Sequence, residues 1–132
     1  MLKSLSVIAA AAVLCIPVAA EATITFSLSN QTPVQVDNVL YNPCGKPGTL
    51  LPSVPANSQS ASTTVGCASV SFDYAGGDKK CRYSIYVTYD PSTGTYQPVG
   101  GTSSAGAVRA TCKVTVLGYD RYGNYGFVAS MQ

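Results

Sequence analysis

From Cys81 to Asp90 the chain alternates without a break. Cys81, Tyr83, Ile85, Val87 and Tyr89 fall on one parity, and Arg82, Ser84, Tyr86, Thr88 and Asp90 on the other. A period of two, rich in β-branched and aromatic residues, predicts a strand with one buried face. Pro91-Ser92-Thr93-Gly94 follows, proline early and glycine late, which predicts a hairpin loop built on a type I turn. This is the longest clean strand pattern in the sequence, so the centre of a sheet is expected here.

Weaker versions of the pattern surround it. Ile24, Phe26 and Leu28 share a face against Thr23, Thr25, Ser27 and Ser29. In the run Val34 to Tyr41 the apolar parity changes phase, Val34 and Val36 before it and Val39 and Tyr41 after it, which predicts a bulge near Asp37-Asn38. Prolines 43, 47, 52 and 55 then predict an extended loop over 42–57, with Leu50, Leu51 and Val54 pinning it to the core. The Ser/Thr-rich run Asn57 to Val65 suits an edge strand, and Ala68, Val70, Phe72 and Tyr74 alternate with polar residues in another half-buried one. Thr95-Tyr96-Gln97 predicts a brief return before Pro98, and Gly100 to Gly106 a flexible loop. Val108, Ala110, Cys112, Val114 and Val116 mark a second central strand, and Phe127 to Met131 the last.

Seven or eight short strands with no helical period predict an all-β fold, a single small antiparallel β-sandwich, with a closed β-barrel as the alternative. The expected core is Ile24, Phe26, Leu28, Val34, Val36, Val70, Phe72, Ile85, Val87, Val114, Val116 and Phe127, with Tyr83 and Tyr89 on the same parity.

The first residues belong to a different kind of segment. Lys3 and the apolar run Val7 to Ile16 precede the small residues Val18-Ala19-Ala20, the pattern of a signal peptide cut after Ala20, with Ala22 as the alternative. The run stops short of the roughly 20 residues that span a bilayer. Cys15 raises a lipoprotein reading, which the large Leu14 before it disfavours. Residues 1–20 are therefore expected to be a signal peptide and 21–132 one exported domain, with no transmembrane anchor. Its destination is expected to be secreted or extracellular, with periplasmic as the alternative.

Export leaves Cys44, Cys67, Cys81 and Cys112, an even set that predicts two disulfides in an oxidising compartment. The preferred pairing is Cys44–Cys67 with Cys81–Cys112, since Cys81 and Cys112 lie on the apolar parities of long strands. Zinc is disfavoured because the cysteines are widely spaced and the chain has no histidine. Loops of 20–30 residues closed by disulfides would each add roughly 3 kcal/mol in the chain-entropy model. A domain of this size benefits from that.

Composition narrows the chemistry. Without Lys3 the domain carries seven cations against six acids, too balanced for a nucleic-acid footprint. Lys79, Lys80 and Arg82 form a local basic patch beside Asp78, which a solvated strand edge explains. With no histidine, the commonest general base is missing, and four paired cysteines leave no thiol nucleophile. Asp78, Asp90 and Asp120 sit in turns, where aspartate serves local hydrogen bonds. No enzyme, cofactor or metal is expected; Asp120 and Asn124 alone fall far short of a calcium shell.

Tyrosine is the distinctive resource, nine residues against no tryptophan. Tyr119, Tyr122 and Tyr125 cluster in one glycine-rich turn with Asp120, Arg121 and Asn124, and these six are the candidate ligand-binding residues. Flat amphipathic rings beside small polar groups suit sugars, protein partners or a lipid interface, although such rings also pack over the end of a sandwich. The leading expectation is an exported, non-enzymatic binding module that meets a surface ligand (glycan, lipid or protein) through this turn. One alternative is a coat or fibre subunit assembling by strand addition at the edge Ser58–Val65. Another is an inhibitor or effector acting on one protein partner through the proline-rich loop. Asn30-Gln31-Thr32 also matches a glycosylation sequon, weakened by Pro33.

In size and aromatic loops the chain resembles the membrane-binding aegerolysin-like proteins. A leader followed by Ala22-Thr23-Ile24-Thr25-Phe26 resembles chaperone-assembled pilins. The cysteine spacing matches neither group and the domain is short for a pilin, so no functional residue is carried over.

Overall fold

The computed structural model describes residues 22–120 and 123–132. The expected signal peptide, residues 1–20, lies outside the described residues, as do Glu21, Arg121 and Tyr122. The described chain is all β: β1 (Ile24–Asn30), β2 (Asp37–Pro43), β3 (Ser58–Gln59), β4 (Thr63–Val65), β5 (Ser69–Gly76), β6 (Lys79–Asp90), β7 (Thr95–Ser104), β8 (Cys112–Tyr119) and β9 (Tyr125–Met131).

Two sheets form a sandwich. One runs β2-β5-β6-β7, antiparallel throughout; the other runs β3-β1-β9-β8, with β4 pairing β1 on the same side as β3. No ladder joins the sheets, so the closed barrel is not formed among the described residues. The count rises to nine strands because the expected edge run breaks in two, Ser58–Gln59 and Thr63–Val65. One pair departs from the antiparallel expectation. β1 and β9 run parallel in unbroken register from Ile24↔Tyr125 to Asn30↔Met131, which places both ends of the domain at the centre of one sheet.

The core lies between the sheets. Phe72 stacks between Phe26 (centroids 4.5 Å) and Tyr83 (5.0 Å), joining β5 to β1 and β6. Burying such a ring contributes about 1.5–3 kcal/mol relative to leaving it exposed. Tyr83 spans the sandwich, its hydroxyl donating to the Ser130 carbonyl of β9 at 2.7 Å. Burial raises the Tyr83 hydroxyl well above its ordinary pKa, and raises Tyr74 to about 12 with the charge of Tyr41 adding to it. Val34 and Val116, expected in the core, are instead largely exposed, and so is Tyr89 beyond the last covered turn of β6. Their places are taken by Val54, Val65, Ala129 and Met131.

The expected bulge is present, with the β2–β5 register shifting between Asn38 and Leu40. Buried Asn38 fills it. Its Nδ2 donates to Leu40 O (2.9 Å) and Asp73 O (3.0 Å), and its Oδ1 accepts the Leu51 N–H at 2.8 Å. The proline-rich loop is held this way and by paired backbone bonds between Val36 and Val54. Val54 is buried there, whereas Leu50 stays exposed.

The largest departure is β7. A brief strand and a flexible loop were expected over 95–106, but Thr95–Ser104 is one strand pairing β6 along its whole length. Val87 directs its N–H to Ala68 O, on the β5 side. Its β7 partner Pro98 therefore sits in a pair that needs no proline N–H, on an edge strand where proline is tolerated. Gly100 packs closely across the sandwich, since a Cβ there would lie 3.1 Å from the Val114 side chain of β8.

Disulfides join Cys44 to Cys67 and Cys81 to Cys112. The first ties the end of β2 to the approach to β5. The second bolts β6 of one sheet to β8 of the other.

Candidate functional site

The β8–β9 hairpin builds the tyrosine-rich end of the sandwich. Alternation in β8 fails after Val116, where a register shift to Gly118 turns Leu117 out to 68% exposure. Asp120 then closes the turn. Its carboxylate accepts the Asn124 N–H (3.1 Å) and Nδ2 (2.8 Å), and its own N–H donates to Asn124 O at 3.1 Å. This is the local hydrogen bonding for which aspartate is favoured in turns. Gly123 has φ 84° and lies against the Tyr96 ring, where a Cβ would come within 2.8 Å. Only glycine meets both demands.

The turn is also fastened to the start of the domain. Thr23 Oγ1 donates to Asn124 Oδ1 at 2.7 Å, and the Tyr125 N–H to Thr23 O at 3.0 Å. Tyr119 stacks on Tyr125 with centroids 5.1 Å apart and planes at 18°. The two rings have opposite fates. Tyr119 is 72% exposed, while Tyr125 is buried at 3% and donates its hydroxyl to Tyr96 O at 2.9 Å. Burial, and then the charge of Tyr119, raises the Tyr125 hydroxyl above its ordinary pKa. Tyr96 in turn packs on Tyr89 at 5.0 Å, so the β6–β7 hairpin joins the same end. A shallow cleft of about 430 Å³ opens beside Tyr119, walled by Leu117, Thr23, Thr25, Asp120 and Asn124.

Of the six candidate residues, four are thus brought together: Tyr119, Asp120, Asn124 and Tyr125. Tyr119 presents a free ring face, Tyr125 supports it from below, and Asp120 and Asn124 shape the rim. Arg121 and Tyr122 lie outside the described residues. Thr23, Thr25, Leu117, Tyr89 and Tyr96 also belong to this end and were not singled out from the sequence. Leu117 alone left a signal there, as the residue that breaks the β8 alternation.

No protein-family model matches the chain, and no curated protein matches its sequence.

The remaining carboxylates are dispersed. Asp37 accepts from the Ser53 hydroxyl (2.6 Å) and the Gln35 amide (3.2 Å), which hold it below the usual carboxylate range. Asp90 is likewise held low by the Ser92 hydroxyl (2.6 Å) and N–H (3.0 Å) in the β6–β7 turn. Asp73 pairs with Arg82 and Lys80 on the outer face of the other sheet. Among the described residues, no three His, Cys, Asp or Glu side chains gather as a metal site would require.

Two disulfides place the folded domain in an oxidising, non-cytoplasmic compartment. Among the described residues no helix is long and apolar enough to cross a membrane.

Proposed function

We propose that this chain is an exported, non-enzymatic binding module whose tyrosine-rich end meets a surface ligand, with a glycan as the favoured class. One observation carries the reading: Tyr119 is held flat on buried Tyr125, 72% exposed, at the lip of a cleft lined by hydroxyl, amide and carboxylate groups. A rigid ring gives stacking area at little entropic cost, and the small polar groups beside it match sugar hydroxyls. The pattern of residues 1–20 and the two disulfides support secretion, with the periplasm as the alternative destination.

Strand addition at Ser58–Val65 draws less support. The edge there consists of a two-residue and a three-residue piece, and short edge strands discourage pairing with another chain. The proline-rich loop is likewise a weaker contact surface, because Val36, Asn38 and the Cys44–Cys67 bond hold it against the sandwich.

The test is glycan-array and liposome binding of the purified protein beside Tyr119→Ala. The ring is exposed, so the variant keeps its fold, and ligand affinity should drop about tenfold or more. Absence of any glycan, lipid or protein ligand, with no effect of the substitution, would remove the reading.

A further inference from the structure

The outer face of the β2-β5-β6-β7 sheet carries a second concavity, of about 480 Å³, that shares no lining residue with the tyrosine end. Register explains its shape. Asn42, Ser71, Ser84 and Gly101 align across the four strands as a floor of small side chains. On one side runs the row Leu40, Asp73, Arg82 and Ser103; on the other, two residues along each strand, Ser69, Tyr86 and Val99. The result is a trough running across the strands for about 14 Å, three strand spacings. Its floor and near wall supply the hydroxyls of Ser71, Ser84 and Ser103, and Tyr86, 40% exposed, lies on the same face two residues beyond Ser84.

Charge on the near wall is organised. Asp73 is buried, its carboxylate 3.2 Å from Arg82 Nε and 3.7 Å from Lys80 Nζ. Two cations thus share one anion on this wall. Arg82 does not decorate a sheet edge, as the sequence implied, because β6 is paired on both sides there. Holding Arg82 through Nε fixes the plane of the guanidinium while the side chain stays 60% exposed. Its terminal two-nitrogen edge is then available, in the fork geometry that matches a carboxylate or sulfate.

From this geometry we infer that the trough is a second binding site, for an anionic polysaccharide, with Arg82 gripping the acidic substituent and Ser71, Ser84 and Ser103 meeting ring hydroxyls. This site belongs to the β2-β5-β6-β7 sheet alone and is independent of the tyrosine end. A carboxylate and a sulfate present the same chemistry to the fork, so both belong in the test.

Binding of the purified disulfide-bonded protein to polygalacturonate, dextran sulfate and neutral dextran is measured at low and at high salt. Saturable binding to at least one anionic chain, and none to neutral dextran, is expected. Arg82→Gln should weaken it about tenfold or more, as loss of charge-assisted bonds implies. Lys80 and the new amide still serve Asp73 in that variant. Ser84→Trp fills the trough from an exposed position, leaves the ion pairs untouched, and should weaken binding at least as much. Lys113→Gln removes the same charge from the other sheet and should not. The better-bound anionic chain identifies the acidic group, and either supports the site. The proposal is overturned by no binding to either anionic chain, by Lys113→Gln matching Arg82→Gln, or by Ser84→Trp binding like the parent.

Discussion

Asn30 is 1% exposed, and its amide organises the corner that follows β1. Nδ2 faces the carbonyls of Val34 (2.8 Å), Val54 (3.1 Å) and Pro55 (3.0 Å), and Oδ1 accepts the N–H and hydroxyl of Thr32 at 3.0 and 2.7 Å. The sequence offered this triplet as a glycosylation sequon; the structure encloses the amide and uses Thr32 as its partner. The Thr32 and Val34 contacts are local. The carbonyls of Val54 and Pro55 arrive from a loop more than 20 residues on, which no spacing rule announces. Asn30→Ala would leave the Pro55 carbonyl and the Thr32 N–H without a partner and remove one of two bonds from Val34 O, Val54 O and the Thr32 hydroxyl, at a cost of about 1–3 kcal/mol. A lowered urea midpoint with an unchanged slope is the expected result. The same reasoning separates Tyr119 from Tyr125: both stood out as aromatic residues of one turn, but only packing decides which ring faces water.

At the scale of elements, alternation was legible wherever a strand buries one face. β1, β5 and β6 follow their patterns almost to the residue. β7 was not legible, because Pro98, Gly100 and Gly101 signal a loop, and only pairing with β6 and contact with Val114 turn them into a strand. The disulfides sit on elements of unequal depth. Cys81 is completely buried in the core, while Cys44 is exposed in the loop after β2. Limited reductant under native conditions should therefore open Cys44–Cys67 first. Alkylation and mass mapping should find labelled Cys44 and Cys67 on a chain that still holds Cys81–Cys112 and stays folded. Opening that 23-residue separation lowers stability by about 3 kcal/mol, within what a small domain can lose. Equal labelling of all four cysteines would contradict this ordering.

The sandwich is closed by its first and last described strands. Because β1 and β9 pair in parallel at the centre of one sheet, neither terminus of the domain can peel away without exposing the core. That arrangement lay beyond the sequence, since nothing in two strands about a hundred residues apart states that they are neighbours. Its consequence is cooperative, all-or-none opening, and the buried tyrosines supply a way to drive it. Tyr74 and Tyr83 are each 2% exposed in the core. In the unfolded chain their hydroxyls titrate near the ordinary 10.0, whereas burial moves Tyr74 to about 12 and raises Tyr83 as well. Below pH 10 both states keep these protons, and stability does not depend on them. Between about 10 and about 12 the unfolded chain has released protons that the folded chain still holds, so stability falls as pH rises, by about 1.4 kcal/mol per unit for each tyrosine. Tyr74 alone removes on the order of 3 kcal/mol across that window, a large part of what a domain of this size possesses. Near-UV circular dichroism should thus collapse in a single step above pH 10, together with the last increase in tyrosinate absorbance. Completion of the tyrosinate titration with the dichroism intact would show that the two core hydroxyls ionise without opening the sandwich, contrary to this account.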